Sequence, residues 1–254
     1  MTDLLIPVIL LAIIFAFVAF FYASVGLGGG SSYTALLAIF GASTATIPMV
    51  SLTLNIVVTT FGSILFLRQG HARLRLIAPF LLSSIPMAYL GGMLHLPKGF
   101  FYALLLLSLS FAVIKIYFPG PAISLSLTKR QQLAVAISCG ALLGLIAGIT
   151  GIGGGVYLVP LIILLGLGSA KEAAACGAFF IWVNSVSGLL ARVQFNSIDI
   201  VYYVPLVVAV MIGGITGTIL GAGHFKSGTM QRILGSILVV AIFLLGRKMF
   251  ILVV

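Results

Sequence analysis

Eight apolar runs of eighteen residues or more recur along this 254-residue chain, at roughly 4–25, 44–67, 76–94, 100–118, 132–150, 172–191, 200–220 and 233–251. At ~1.5 Å per helical residue, each is long enough to cross a hydrocarbon layer ~30 Å thick. Only 6% of the residues are charged while 62% are hydrophobic. A water-soluble domain carries about 25% charged residues, so this chain can cover its surface only by facing most of it to lipid. The expected fold is therefore an all-α polytopic membrane protein. Met1-Thr2-Asp3 supplies no basic residue ahead of the first run, so 4–25 reads as a retained membrane segment and not as a cleaved leader.

Two shorter apolar pieces, near 30–40 and 155–166, are bounded by glycine at both ends. Each spans little more than half the layer, which predicts half-helices or re-entrant segments. The glycines also reveal a duplication. Gly26-Leu27-Gly28-Gly29-Gly30 recurs 125 residues later as Gly151-Ile152-Gly153-Gly154-Gly155, and Gly41 recurs as Gly166. Beyond them the offset becomes 126, pairing Gly62 with Gly188, Pro79 with Pro205 and Gly91 with Gly217. Residues 1–120 and 128–254 are thus expected to be two transmembrane repeats of one integral domain.

Charge sets the orientation. The net charge of +10 comes from basic residues scattered between apolar runs, with a denser group at Arg68, His71, Arg73 and Arg75. That distribution suits cytoplasmic loops under the positive-inside rule and not nucleic-acid binding. Lys115, Lys129 and Arg130 fall on the same side, as do Lys226 and Arg232, whereas the 192–199 loop nets zero through Arg192 and Asp199. The imbalance predicts repeats of inverted topology; Arg247 and Lys248 argue the other way.

Gly-x-Gly-Gly-Gly interrupts a helix, since each Gly costs ~1 kcal/mol against Ala. In lipid such a break is tolerated where protein or a water-filled cavity satisfies the backbone. The N–H groups that open the following half-helix, together with its dipole, favour an anion. Ser31, Ser32 and Thr150 add hydroxyls at the same level. The candidate substrate-binding residues are Gly28, Gly29, Gly30, Ser31, Ser32, Thr150, Gly153, Gly154 and Gly155. Close packing is the competing reading, because Gly26/Gly30 and Gly151/Gly155 also have GxxxG spacing. For Gly140, Gly144 and Gly148, and for Gly213, Gly217 and Gly221, packing is the preferred reading. Asn55, Asn184 and Ser185 lie in the runs that follow the short pieces, where they can glue helices together or touch a substrate. Trp182, Tyr22 and Tyr157 read as packing or interface anchors. Arg192, ending its run, reads as a side chain reaching the interface, with a fixed charge on an anion path as the other option.

Catalysis finds no convergent set. His71, His95 and His224 sit at segment ends, and the only acids are Asp3, Glu172 and Asp199. Glu172 is therefore the one carboxylate expected to serve coupling. Cys139 and Cys176 lack metal-ligand spacing, and no cofactor or metal is expected. A dinucleotide fingerprint would need glycine where Ser31 and Val156 stand.

The paired GxGGG motifs, each followed by a short apolar piece, and the later Gly/Pro pairs resemble the sulfite exporter TauE/SafE family of prokaryotic membrane permeases. The resemblance spans essentially the whole chain. It implies a multi-pass protein of the plasma (inner) membrane that moves small sulfur anions such as sulfite or sulfoacetate. The expected function is secondary transport of such an anion with a proton or sodium as coupling ion, in a chain that can form a homodimer. A small-anion channel and a non-transporting membrane scaffold are the alternatives.

Overall fold

The computed structural model describes residues 4, 6–68, 70, 73–118, 128–196, 200–224 and 227–253. His71, Lys226, Asp199 and Met1–Asp3 lie outside them. The apolar runs become eight long helices: α1 (Val8–Ser24), α3 (Thr46–Arg68), α4 (Leu74–Met93), α5 (Lys98–Tyr117), α6 (Lys129–Thr150), α8 (Ala170–Arg192), α9 (Ile200–His224) and α10 (Ser227–Val253). The glycine-bounded pieces become α2 (Gly30–Ile39) and α7 (Gly155–Leu164), ten residues each. Among the described residues, seven helices are long and apolar enough to span a membrane. The eighth long helix, α1, has 17 residues because it begins after Pro7, its N-cap, and not at residue 4. A proline lacks the N–H needed inside a helix but is tolerated where one starts.

Side-chain contacts fix the helix directions. Gly140, Gly144 and Gly148 of α6 lie in turn against the backbone of Phe80, Ser84 and Ala88 of α4, so α4 and α6 run the same way. Gly213 and Gly217 of α9 meet the carbonyls of Ala16 and Phe20 in the same manner, so α1 and α9 are also parallel. Packing is the role of these glycines, since a Cβ would push the two backbones apart. Gly91 meets the Leu145 carbonyl, which is the Gly217–Phe20 contact moved to the positions 125–126 residues away. Helices α3 and α8 run oppositely: Gly62 faces Ala178, Leu52 faces Gly188, and Trp182 Nε1 donates to Thr60 Oγ1 at 2.9 Å.

The bundle ends follow from these directions. One end collects the tips of α4, α6 and α8 and the starts of α3 and α5. The other collects Arg68, Arg73, Arg75, Lys115, Lys129, Arg130 and Arg232. Here Arg73 pairs with Glu172 at 3.4 Å, and the Tyr117 hydroxyl donates to the Arg232 carbonyl at 3.1 Å. Lys248, which the charge argument could not accommodate, sits at the first end and donates to the Ala38 carbonyl at 2.7 Å and that of Ile39 at 3.4 Å. Its ammonium caps the C-terminus of α2, where the dipole favours a cation.

Candidate functional site

Both glycine runs turn sharply between a long helix and a short one. In the first, Gly26 and Gly29 take φ of 79° and 91°; in the second, Gly151, Gly153 and Gly154 take 80°, 85° and 78°. Any residue with a Cβ is disfavoured there by about 1–2 kcal/mol. Gly29 and Gly154 are the N-caps of α2 and α7. Gly30 is needed for space: a Cβ on it would lie 2.5 Å from the Ile152 carbonyl. The two breaks therefore touch each other inside the bundle.

The crossing of α3 and α8 supplies the side chains between them. Gly28 and Gly153 both abut Asn55 of α3 and Ile181 of α8. Asn55 Nδ2 donates to the carbonyls of Gly151 at 3.3 Å and Ile152 at 3.4 Å. One turn earlier, the Ser51 hydroxyl lies within 3.0 Å of the Gly151 carbonyl and 3.2 Å of the Gly30 carbonyl. Ser51, Asn55, Ile181 and Ser185 are all buried. Ser185 Oγ would lie 3.4 Å from a Cβ on Gly153. Asn55 Oδ1 and Ser185 Oγ have no hydrogen-bond partner among the described residues. Nor do the first N–H groups of the short helices, at Gly30, Ser31, Gly155 and Val156, reach a carbonyl. That is the normal state of a helix start. Here two such starts occur in a buried, low-dielectric setting that no carboxylate among the described residues occupies. Neutral donors of this kind can hold an anion without a buried lysine or arginine.

The other expected residues divide. Ser31 and Ser32 are buried against Tyr22, whose hydroxyl is 2.6 Å from Ser31 Oγ and 3.0 Å from Ser32 Oγ. Tyr22 is thus a polar partner of the first break as well as a packing residue. Thr150 is at the second break, but its hydroxyl proton goes to the Ile146 carbonyl at 2.7 Å, and its oxygen receives the Ile152 N–H at 3.4 Å. Its role there is to shape the turn. Asn184 bonds its own helix at the Phe180 carbonyl, 2.8 Å away, and neither glycine run.

Glu172 stands apart from the crossing. It closes a capping box with Ser169 at the start of α8, accepting the Ser169 N–H at 2.7 Å, and faces Arg73. Arg192 departs from the interface reading: it is 4% exposed and donates to the carbonyls of Gly148 and Ile149. Ser51 and Ile181 were missing from the sequence reading. Ser51 was findable as the residue four positions before Asn55 on the same helix face; Ile181 is the 126-residue counterpart of Asn55. Among the described residues, no group of three His, Cys, Asp or Glu side chains comes together to hold a metal.

The family model described as "Sulfite exporter TauE/SafE" matches residues 11–245. The chain is 33% identical over 236 residues to the probable membrane transporter protein y4hK of Sinorhizobium fredii, covering 91% of this chain and 95% of that one. It is 25% identical over 238 residues to the probable membrane transporter protein YjnA of Bacillus subtilis, covering 85% and 91%. A third relative, the probable membrane transporter protein YunE of Bacillus subtilis, is 32% identical over 90 residues, 35% of this chain and 33% of that one. No solved structure matches the chain.

Proposed function

We infer that this chain, which belongs to the sulfite exporter TauE/SafE family and is a multi-pass membrane transporter, is a secondary carrier of a small anion. Its solute is a sulfur oxyanion or organosulfonate such as sulfite or sulfoacetate, moved across the prokaryotic plasma membrane. One observation carries the reading: both glycine breaks flank Asn55 and Ile181 and open their first-turn N–H groups beside them. The binding residues are Gly28, Gly29, Gly30, Ser31 and Ser32 from the first break and Gly153, Gly154 and Gly155 from the second, with Asn55 and Ser185 between. Thr150 shapes the second turn, and Asn184 lines the same helix. Glu172, beside Arg73 at the basic end, is the candidate group for proton coupling.

Residues 1–120 and 128–254 act as two inverted repeats. Support comes from the antiparallel crossing of α3 with α8, which are counterparts at 126 residues, and from the exchanged pairs α1–α9 and α4–α6. In such carriers, alternating access is rocking of one repeat against the other about a fixed central site.

Counterflow of labelled sulfite, sulfoacetate, sulfate and acetate into liposomes containing the purified protein tests the reading. Saturable exchange with preference for a sulfur anion is expected. A non-saturating conductance would make the protein a channel, and no flux of any of the four would end the anion reading.

A further inference from the structure

The bundle end away from Arg68, Arg73 and Arg75 holds a cavity of about 60 Å³. A single water needs ~10–15 Å³ on this measure, so the space admits a few waters or one small oxyanion. Thr44, His95, Phe101, Ile149, Arg192 and Asn196 line it. They come from the start of α3, the link between α4 and α5, the start of α5, the tip of α6 and the tip of α8 with the loop after it.

Arg192 is the unusual member. Its side chain is almost wholly buried, yet no carboxylate among the described residues pairs with it. Its compensation comes from three bonds to backbone: Nε and Nη2 to the Gly148 carbonyl at 3.3 and 2.9 Å, and Nη2 to that of Ile149 at 2.7 Å. These cap the C-terminal turn of α6, as Lys248 caps α2. A cap would account for Nε and Nη2. No partner for Nη1 is found among the described residues, and the residue lines a cavity. A guanidinium presents its donors in a planar fork suited to two oxygens of one oxyanion. Asn196 lines the same cavity and donates from Nδ2 to the Arg192 carbonyl at 3.3 Å. The position 126 residues earlier is Phe66, which packs on Gly26, so the equivalent position of the first half carries no cation.

We propose that this cavity is an entry site for a small oxyanion, in which Arg192 supplies the charge and His95, Asn196 and Thr44 supply further polar contacts. It lies two residues from the second glycine break, since Ile149 precedes Gly151 by that much. By the positive-inside rule it opens on the outer face. The site deepens the anion-carrier reading and rests on it for its link to transport; binding to it does not depend on transport.

The test uses the full chain, purified in detergent for equilibrium binding of labelled sulfite and sulfate, and reconstituted for uptake. Arg192→Gln is expected to weaken binding roughly ten- to hundredfold and to raise the half-saturating external concentration with little change in maximal rate. Arg192→Lys restores part of both. Asn196→Ala, which removes no cap of α6, gives a smaller loss in the same direction and carries the test if Arg192→Gln does not fold. Loss of thermal stability with unchanged half-saturation in all three variants would make Arg192 a cap only and overturn the entry site, leaving the carrier reading intact. Binding by the wild type without flux would overturn the carrier reading and leave the site standing. Absence of sulfite and sulfate binding would overturn the site.

Discussion

Asn55→Asp is the sharpest test of the central site, because it changes no shape and reverses one function. The amide's N–H donors face the carbonyls of Gly151 and Ile152 at 3.3 and 3.4 Å. A neutral hydrogen bond contributes about 0.5–1.5 kcal/mol. Both bonds are long, so losing them costs about 1–2 kcal/mol in all; a buried carboxylate facing those two carbonyls adds a further desolvation cost, which is why folding of the variant is checked separately. The charge matters more. An ionised carboxylate about 5 Å from a bound anion, at an effective dielectric of about 20, opposes it by roughly 3 kcal/mol, or about a hundredfold in affinity. Asn55→Ala separates the two effects, since it loses the donors without adding charge. Uptake of a fully ionised sulfonate into liposomes, with thermal unfolding as the control for folding, should rank wild type above Asn55→Ala and Asn55→Ala well above Asn55→Asp. Equal half-saturation in wild type and Asn55→Asp would refute the placement of the anion beside this side chain.

Gly29→Val and Gly154→Val should each abolish uptake while the protein still inserts. A β-branched side chain resists φ near +80° to +90° and would crowd the Tyr33 and Phe180 rings respectively. Wild-type flux in both variants would remove the glycine breaks from the site. Glu172→Gln keeps an acceptor for the Ser169 N–H, so the capping box survives while the pairing with Arg73 is lost. Weaker dependence of uptake on an imposed proton gradient is expected, and an unchanged pH profile would dismiss this carboxylate from coupling. Gly144→Val drives a side chain into the Ser84 backbone and should cost about 1–3 kcal/mol by overpacking. A lower unfolding temperature in detergent checks it, and no change would mean that α4 and α6 can separate freely.

The local elements were readable because glycine and proline act locally. The pieces near 30–40 and 155–166 became helices at Gly30–Ile39 and Gly155–Leu164, bounded by the same residues that suggested them. Pro7 trimmed the first helix for an equally local reason. The site was readable only in part. Asn55 stood out as an amide in an apolar run, but nothing in its neighbourhood says that it meets Gly151 and Ile152, nearly a hundred residues away. Ile181 looks like any other apolar residue until α3 and α8 cross. Asn184 shares the chemistry of Asn55 without its surroundings, since its amide N–H goes to its own helix and not to a glycine run. Arg192 was misread because a lone cation ending an apolar run usually reaches the interface; the tip of α6, folded against it from more than forty residues upstream, provides other acceptors.

The exchanged pairing of α1 with α9 has a consequence for how the chain is made. Phe20 rests on Gly217, so the first helix must enter the bilayer nearly two hundred residues before its main neighbour is synthesised. At ribosomal speeds of ~5–20 residues per second, that is a wait of roughly 10–40 s. During it, the glycine-broken α1–α2 hairpin stands in lipid or beside the insertion machinery without the surface that later covers it. The α4–α6 pair closes much sooner, because Ser84 and Gly144 are sixty residues apart. Assembly should therefore proceed from the middle of the chain outward, with the first helix, though earliest to emerge, among the last to find its place.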